Sequence, residues 1–305
     1  MKRKLLLPAV LIVFAAAVVW PQAAASGMKN ALHLCAFTLV PSLFPLFVLS
    51  RLLDSMGLPE WLSRRAGPLM QRLFGVSGAG AEAFLLGLCG GYPLGASVVA
   101  QLRLSGRISR AEAERLLAFC NNSGPAFILG AVGGVFGSAK AGALLYLAHV
   151  LAAVCTGLVF RRRPAVPEAR APAESSSPAP GAAESFTAAV TGAVEGCLRL
   201  CGYVCFFGAL TAFFDSFRFL PGLGPAFAMG FFELGGGIGA LAGWQAGPLT
   251  MALAGFLLGW GGLSVHCQTL GAVAKTDIKC ARHLLGRALC GMFAAAFSFL
   301  FSYLV

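Results

Sequence analysis

The sequence predicts an all-α polytopic membrane protein built as two inverted repeats whose helices are broken or re-entrant. Three observations point there. The chain has 305 residues, 58% of them hydrophobic and only 11% charged, with a mean hydropathy of +0.79; a soluble domain carries about 25% charged residues. Its apolar runs approach the roughly 20 residues that a helix needs to cross a bilayer core. One unusual phrase is also written twice. Phe84-Leu85-Leu86-Gly87 leads through Leu88-Cys89 into Gly90-Gly91-Tyr92-Pro93-Leu94-Gly95, and Phe256-Leu257-Leu258-Gly259 leads through Trp260 into Gly261-Gly262-Leu263-Ser264-Val265-His266. Paired apolar segments interrupted by Gly or Pro, at matching places in two halves, point to the substrate site of a secondary transporter.

Taken in order, Leu5 to Ala25 reads as a first span, retained rather than cleaved because further spans follow at once. Ala31 to Leu53 is the second, kinked by Pro41 and Pro45. Leu58 to Phe74 mixes Trp61, Leu62 and Leu69 with Arg64, Arg65 and Arg72, the pattern of an amphipathic helix lying at the interface. Ala81 to Leu102 holds the first phrase and reads as a hairpin that enters and leaves by one side. Arg115 to Val135 is apolar but interrupted by Cys120-Asn121-Asn122-Ser123-Gly124-Pro125, and Ala141 to Phe160 is an unbroken span.

Residues 161–184 are Pro, Ala, Ser and Glu without apolar periodicity, a flexible cytoplasmic linker. It divides an N-terminal half, 1–160, from a C-terminal half, 185–305. The second half runs through Phe186 to Phe214, Pro225 to Ala242, Leu249 to Val273 (holding the second phrase) and Leu284 to Val305. Leu52-Leu53-Asp54-Ser55 is echoed by Phe213-Phe214-Asp215-Ser216. Three crossings separate the two acids, and an odd number inverts one repeat relative to the other. On that count the basic stretch Lys275 to Arg287 falls outside.

The net charge of +11 is no nucleic-acid signal, because the basic residues flank apolar runs, as loops held on the cytoplasmic side do. The ten cysteines include no C-x-x-C pair and the four histidines no H-x-x-x-H pair. No P-loop, G-x-S-x-G or zincin motif is present. Neither an enzyme nor a cofactor or metal is expected. The expected partners are the lipid bilayer, a small-molecule solute and a coupling ion, H+ or Na+.

Backbone that leaves the helix inside a bilayer strands polar groups, at several kcal/mol each, unless protein or a wet cavity satisfies them. Gly90, Gly91, Tyr92, Pro93 and Gly95 therefore either line a cavity or permit close packing of helices. A helix restarting after Pro93 aims free N–H groups into the gap, which suits an anion. Asn121, Asn122 and Ser123 offer amide and hydroxyl groups beside Gly124-Pro125, for a polar solute or for inter-helix bonds. Gly262, Ser264, His266 and Gln268 form the second half of the candidate site. In an extended loop Ser264, His266 and Gln268 would share one side, and His266 could couple transport to protons. Glu233, between Phe232 and Leu234 and ahead of three glycines, has no evident local partner and is the candidate for coupling or gating. Glu195 and Arg199 are spaced as a helix-face ion pair.

The segment Glu112-Ala113-Glu114-Arg115-Leu116-Leu117-Ala118-Phe119-Cys120-Asn121-Asn122-Ser123-Gly124-Pro125-Ala126-Phe127, with Gly90-Gly91-Tyr92-Pro93-Leu94-Gly95 before it, resembles the YlbJ-type sporulation integral membrane proteins. The phrase Gly261 to Gln268 is similar to that family's second half. The resemblance implies the nucleoside recognition or gate-domain scaffold shared with concentrative nucleoside transporters. It also implies a role in spore formation and movement of dipicolinic acid across a forespore membrane. The residues themselves lead to transport of a small polar, anionic solute. Alternatives are a non-transporting assembly protein of the sporulation membrane and a nucleoside transporter.

Overall fold

The computed structural model describes residues 2–162, 181–213 and 220–305. Most of the expected linker, and Asp215 of the echoed motif, lie outside them. Every element in the described residues is helical.

Helix α1 (Lys2–Val19) ends at Trp20, and Pro21 opens the next helix at a position where its missing N–H costs nothing. That helix runs through α2 (Pro21–Leu34), a wider π-turn at Cys35–Leu39 and α3 (Val40–Ser55). The loosened turn stands directly before Pro41, which cannot bond back to the preceding turn. Helix α4 (Leu58–Phe74) has the bounds its amphipathic pattern predicts, closed by Gly75 at φ +64°. Helices α5 (Gly80–Gly90) and α6 (Leu94–Leu104) fold back on each other as a hairpin, with Gly87 and Gly95 facing one another and the Cys120 carbonyl. A Cβ on either glycine would displace that carbonyl.

Helix α7 (Arg110–Phe119) begins at the Ser109 cap, stops at Cys120 and resumes as a π-helical stretch, Ala126–Val132, that continues into α8 (Gly133–Val135). Helix α9 (Ala139–Val159) is an unbroken span. In the second half α10 (Ala182–Ala212) is followed by two short helices, α11 (Gly224–Phe232) and α12 (Leu234–Gly239), which close a second hairpin with Gly230 against Gly237. Helices α13 (Pro248–Trp260) and α14 (Gly262–Val273) form one crossing, broken at Gly261. Helix α15 (Ala281–Phe301) ends the bundle. Five stretches among the described residues are long and apolar enough to cross a membrane: Pro21–Ser55, Ala139–Val159, Ala182–Ala212, Pro248–Val273 and Ala281–Leu304.

Ion pairs gather many helix ends on one side. Arg107 lies 3.3 Å from Glu60 and 3.9 Å from Glu82, tying α4 to both ends of the first hairpin. Arg103 holds Asp277 through two 2.9 Å bonds, and Arg282 lies 3.6 Å from Glu114. The stretch Lys275 to Arg282 therefore sits at the same end as the basic loops of the first half. This corrects the expectation that it falls outside: the chain between Asp54 and that stretch crosses an even number of times once the second hairpin is counted as re-entrant. The first hairpin enters from this basic end. The second follows the far end of α10 and precedes the start of α13, so it enters from the opposite end.

The two Gly-broken phrases consequently occupy unlike places. Gly90 to Pro93 is a hairpin tip, whereas Gly261-Gly262 interrupts a crossing. A glycine pair ends a helix in either setting, and composition does not tell which. Between helices, small residues set the distance, as expected where lipid removes the hydrophobic drive for association. A Cβ on Gly259 would meet the Gly291 backbone at 2.5 Å, and one on Gly255 the Ala294 carbonyl at 2.6 Å.

Candidate functional site

Each helix break leans on a hairpin tip. Gly91, at φ +76°, lies so close to Gly124 that a Cβ would stand 2.8 Å from its nitrogen. Trp260 Nε1 donates to the Phe231 carbonyl at 3.1 Å, and Gly262 lies against the backbone of Gly230, Phe232 and Leu234. First tip and first break meet through glycines; second tip and second break meet through Trp260 and Gly262.

Tyr92 joins the two pairs. Ending α13 at Gly261 leaves carbonyls without helical donors. Tyr92 Oη donates to the Leu258 carbonyl at 2.9 Å, and Arg287 Nη2 donates to the Gly259 carbonyl. Arg287 Nη2 also donates to Tyr92 Oη at 2.7 Å, and Nη1 to Asn122 Oδ1 at 3.3 Å. Arg287 is completely buried and forms no ion pair among the described residues. Its charge is met by neutral oxygens, by the ring face of Tyr92 at 5.4 Å and by the negative end of α13. The sequence reads Arg287 as the end of the basic stretch at the start of the last span and does not mark it as a site residue. The available signal was an arginine beside Gly286, inside an otherwise apolar run of small and aliphatic residues.

The amides divide their work. Asn121 Nδ2 donates to Thr269 Oγ1 at 2.8 Å on α14, while Asn122 Nδ2 donates to the Phe119 carbonyl at 2.8 Å, capping its own broken helix. His149 Nε2 accepts from the Ser123 N–H at 3.0 Å, which fixes its single ring proton on Nδ1. Ser264, His266 and Gln268 stand on helix α14, so the extended-loop expectation is corrected. Ser264 and Gln268, one turn apart, share a face and bond at 3.2 Å. His266 turns away, its Nδ1 3.0 Å from His283 Nε2. His283 Nδ1 faces the Leu117 carbonyl at 3.2 Å and so carries a proton. In the neutral pair His266 therefore donates from Nδ1, leaving Nε2 as a buried acceptor without a partner.

Glu233 has local partners after all, which corrects the expectation that it has none: they are backbone N–H groups two and three residues on. Both carboxylate oxygens cap α12, from the N–H groups of Gly235 (2.9 Å) and Gly236 (2.6 Å).

A cavity of ≈ 60 Å³ lies where these parts converge. Gly91 and Tyr92 reach it from the first tip, Ser123 and Gly124 from the first break, Glu233 from the second tip and Gln268 from α14. Leucines of α2, α3 and α10 close it, so most of its wall is apolar. Asn121, Asn122, Ser264 and His266 stand behind the wall rather than in it. Gly90, Gly95 and Gly262 serve the packing of the tips, and Pro93 faces a neighbouring chamber.

A family model for Gate, described as nucleoside recognition, matches residues 36–139. The chain is 31% identical over 318 aligned residues to the sporulation integral membrane protein YlbJ of Bacillus subtilis (strain 168), covering 91% of this chain and 77% of that protein. No solved structure matches the chain.

Proposed function

The chain belongs to the YlbJ family of sporulation integral membrane proteins, and from that footing we propose that it transports a small anionic solute across the membrane. The observation that carries this reading is Arg287. A guanidinium buried without a carboxylate is costly unless its field serves something, and this one stands directly behind the cavity wall at Tyr92. Backbone N–H groups at the restarting helices add to the same sign of potential.

The order of helix, hairpin, broken crossing and helix occurs in both halves, with hairpins entering from opposite ends. That supports reading the halves as inverted repeats whose tips part in turn to expose one site to either side. The cavity is smaller than the roughly 300 Å³ of an ordinary ligand pocket, so a solute is admitted only when the tips separate. By family, the proposed solute is dipicolinic acid and the membrane that of the forespore. Its two carboxylates suit the positive field, and its ring suits the face of Tyr92. The match to the Gate family favours a second reading, a nucleoside as solute.

Ligand-induced thermal stabilisation of the purified protein separates them. Stabilisation by dipicolinate and other aromatic dicarboxylates, with none by nucleosides, is the expected result. Stabilisation by nucleosides alone would replace the anion reading with the second one.

A further inference from the structure

A second chamber of ≈ 310 Å³ adjoins the central cavity. Arg51 of α3, Pro93 of the first tip, Ser97 of α6, Arg199 of α10, and Gln268 and Ala272 of α14 are among its walls. Leu200 and Gln268 line both spaces and so form the partition between them. Arg51 lies one turn before the end of α3, and Ala272 five residues before Asp277, the partner of Arg103. The chamber therefore opens at the basic end.

Its charge is unbalanced. Glu195 and Arg199 pair at 3.6 Å. Arg51 forms no ion pair among the described residues and is seated against Gly192, where a Cβ would strike its guanidinium. At the partition Gln268 is only 4% exposed, and its Oε1 has no partner. Turning the amide by 180° keeps the Ser264 bond, with the hydroxyl now donating to Oε1, and leaves the NH₂ group as an unpartnered donor at the partition.

We infer that this chamber is the solute's port at the basic end: an anion-selecting vestibule in which Arg51 and Arg199 draw in a small carboxylate, and Gln268 is the first hydrogen-bonding group it meets at the partition. This rests on the transport reading, but its direct test does not. Ser97→Cys, and Ala272→Cys as a second reporter, are labelled in sided membrane vesicles with impermeant methanethiosulfonates, one anionic and one cationic, subtracting the labelling of the parent chain. Both cysteines should react from the linker side, the anionic reagent about tenfold faster than the cationic one. Arg51→Gln should lower that preference severalfold and Glu195→Gln should raise it. Equal rates, a cationic preference, reaction from the opposite side or no reaction at either cysteine would overturn the vestibule. If the protein moves no solute yet labels as described, the transport reading fails and takes the port with it, leaving only an anion-attracting chamber at the basic end. If flux is present, Arg51→Gln should raise KM severalfold with little change in maximal rate.

Discussion

Arg287 sits over the ring of Tyr92, its guanidinium carbon 5.4 Å from the ring centroid, and donates to the Tyr92 hydroxyl at 2.7 Å. The hydroxyl in turn donates to the Leu258 carbonyl. One chain of bonds thus links α15, the first hairpin tip and the broken end of α13, and Asn122 adds the break after α7. Four interruptions or supports that lie far apart in sequence share a single cation.

Replacing that cation tests its place as keystone. Arg287→Met leaves Asn122 Oδ1 and the Gly259 carbonyl buried without donors, at about 1–3 kcal/mol for each. Arg287→Lys keeps the charge but loses the fork, so its loss should be smaller. Thermal unfolding in detergent micelles should rank wild type, Arg287→Lys and Arg287→Met in falling order; a Met variant as stable as wild type would remove Arg287 from this role.

The approach of the first tip to the first break is tested by two glycines. Gly91 and Gly106 both have positive φ, at +76° and +72°, but a Cβ on Gly106 meets nothing within 4 Å. Gly106→Ala should cost about 1 kcal/mol of backbone strain. Gly91→Ala adds a collision with Gly124 and should cost clearly more, read as a larger drop in melting temperature. Equal drops would mean that the tip yields freely.

Glu233→Gln has one acceptor oxygen where the carboxylate has two, so one N–H of Gly235 or Gly236 loses its cap. A loss of about 1 kcal/mol is expected. If Glu233 also carries the coupling ion, proteoliposome flux in the variant should stop responding to an imposed proton or sodium gradient. Flux that still follows the gradient would leave Glu233 with its capping role only.

At the basic end, the Arg103 hydrogen bonds hold the Asp277 carboxyl below its ordinary pKa of 3.8. A carboxyl depressed by folding adds stability above its unfolded pKa and loses it as pH falls through the folded one. The link between the last turn of α6 and the α14–α15 loop should therefore hold at neutral pH and weaken only below about pH 4. Asp277→Asn should remove that acid limb from a plot of melting temperature against pH, and an unchanged limb would assign it to other groups.

The sequence makes some of this legible. The bounds of α4 follow from its amphipathic pattern between Gly57 and Gly75, and the break at Asn121 to Pro125 follows from amides next to Gly-Pro. The hairpin at Gly90 to Pro93 could be read because basic residues flank both of its arms. What stayed hidden depends on distant partners. Arg287 reads as an interfacial residue until Tyr92, 195 positions away, closes over it. The second hairpin reads as one segment because helices of nine and six residues carry too little periodicity. Ser264, His266 and Gln268 read as a loop because a glycine pair marks a tip and a mid-span break alike.

The most direct measurement is uptake of labelled dipicolinate into proteoliposomes holding the wild-type protein or Arg287→Lys, each confirmed folded by its melting transition. Saturable uptake by wild type, well above protein-free liposomes and at least tenfold lower in the variant, is the expected result. Uptake no greater than in protein-free liposomes, for dipicolinate and for every other small anion tried, would contradict transport of an anion by this fold.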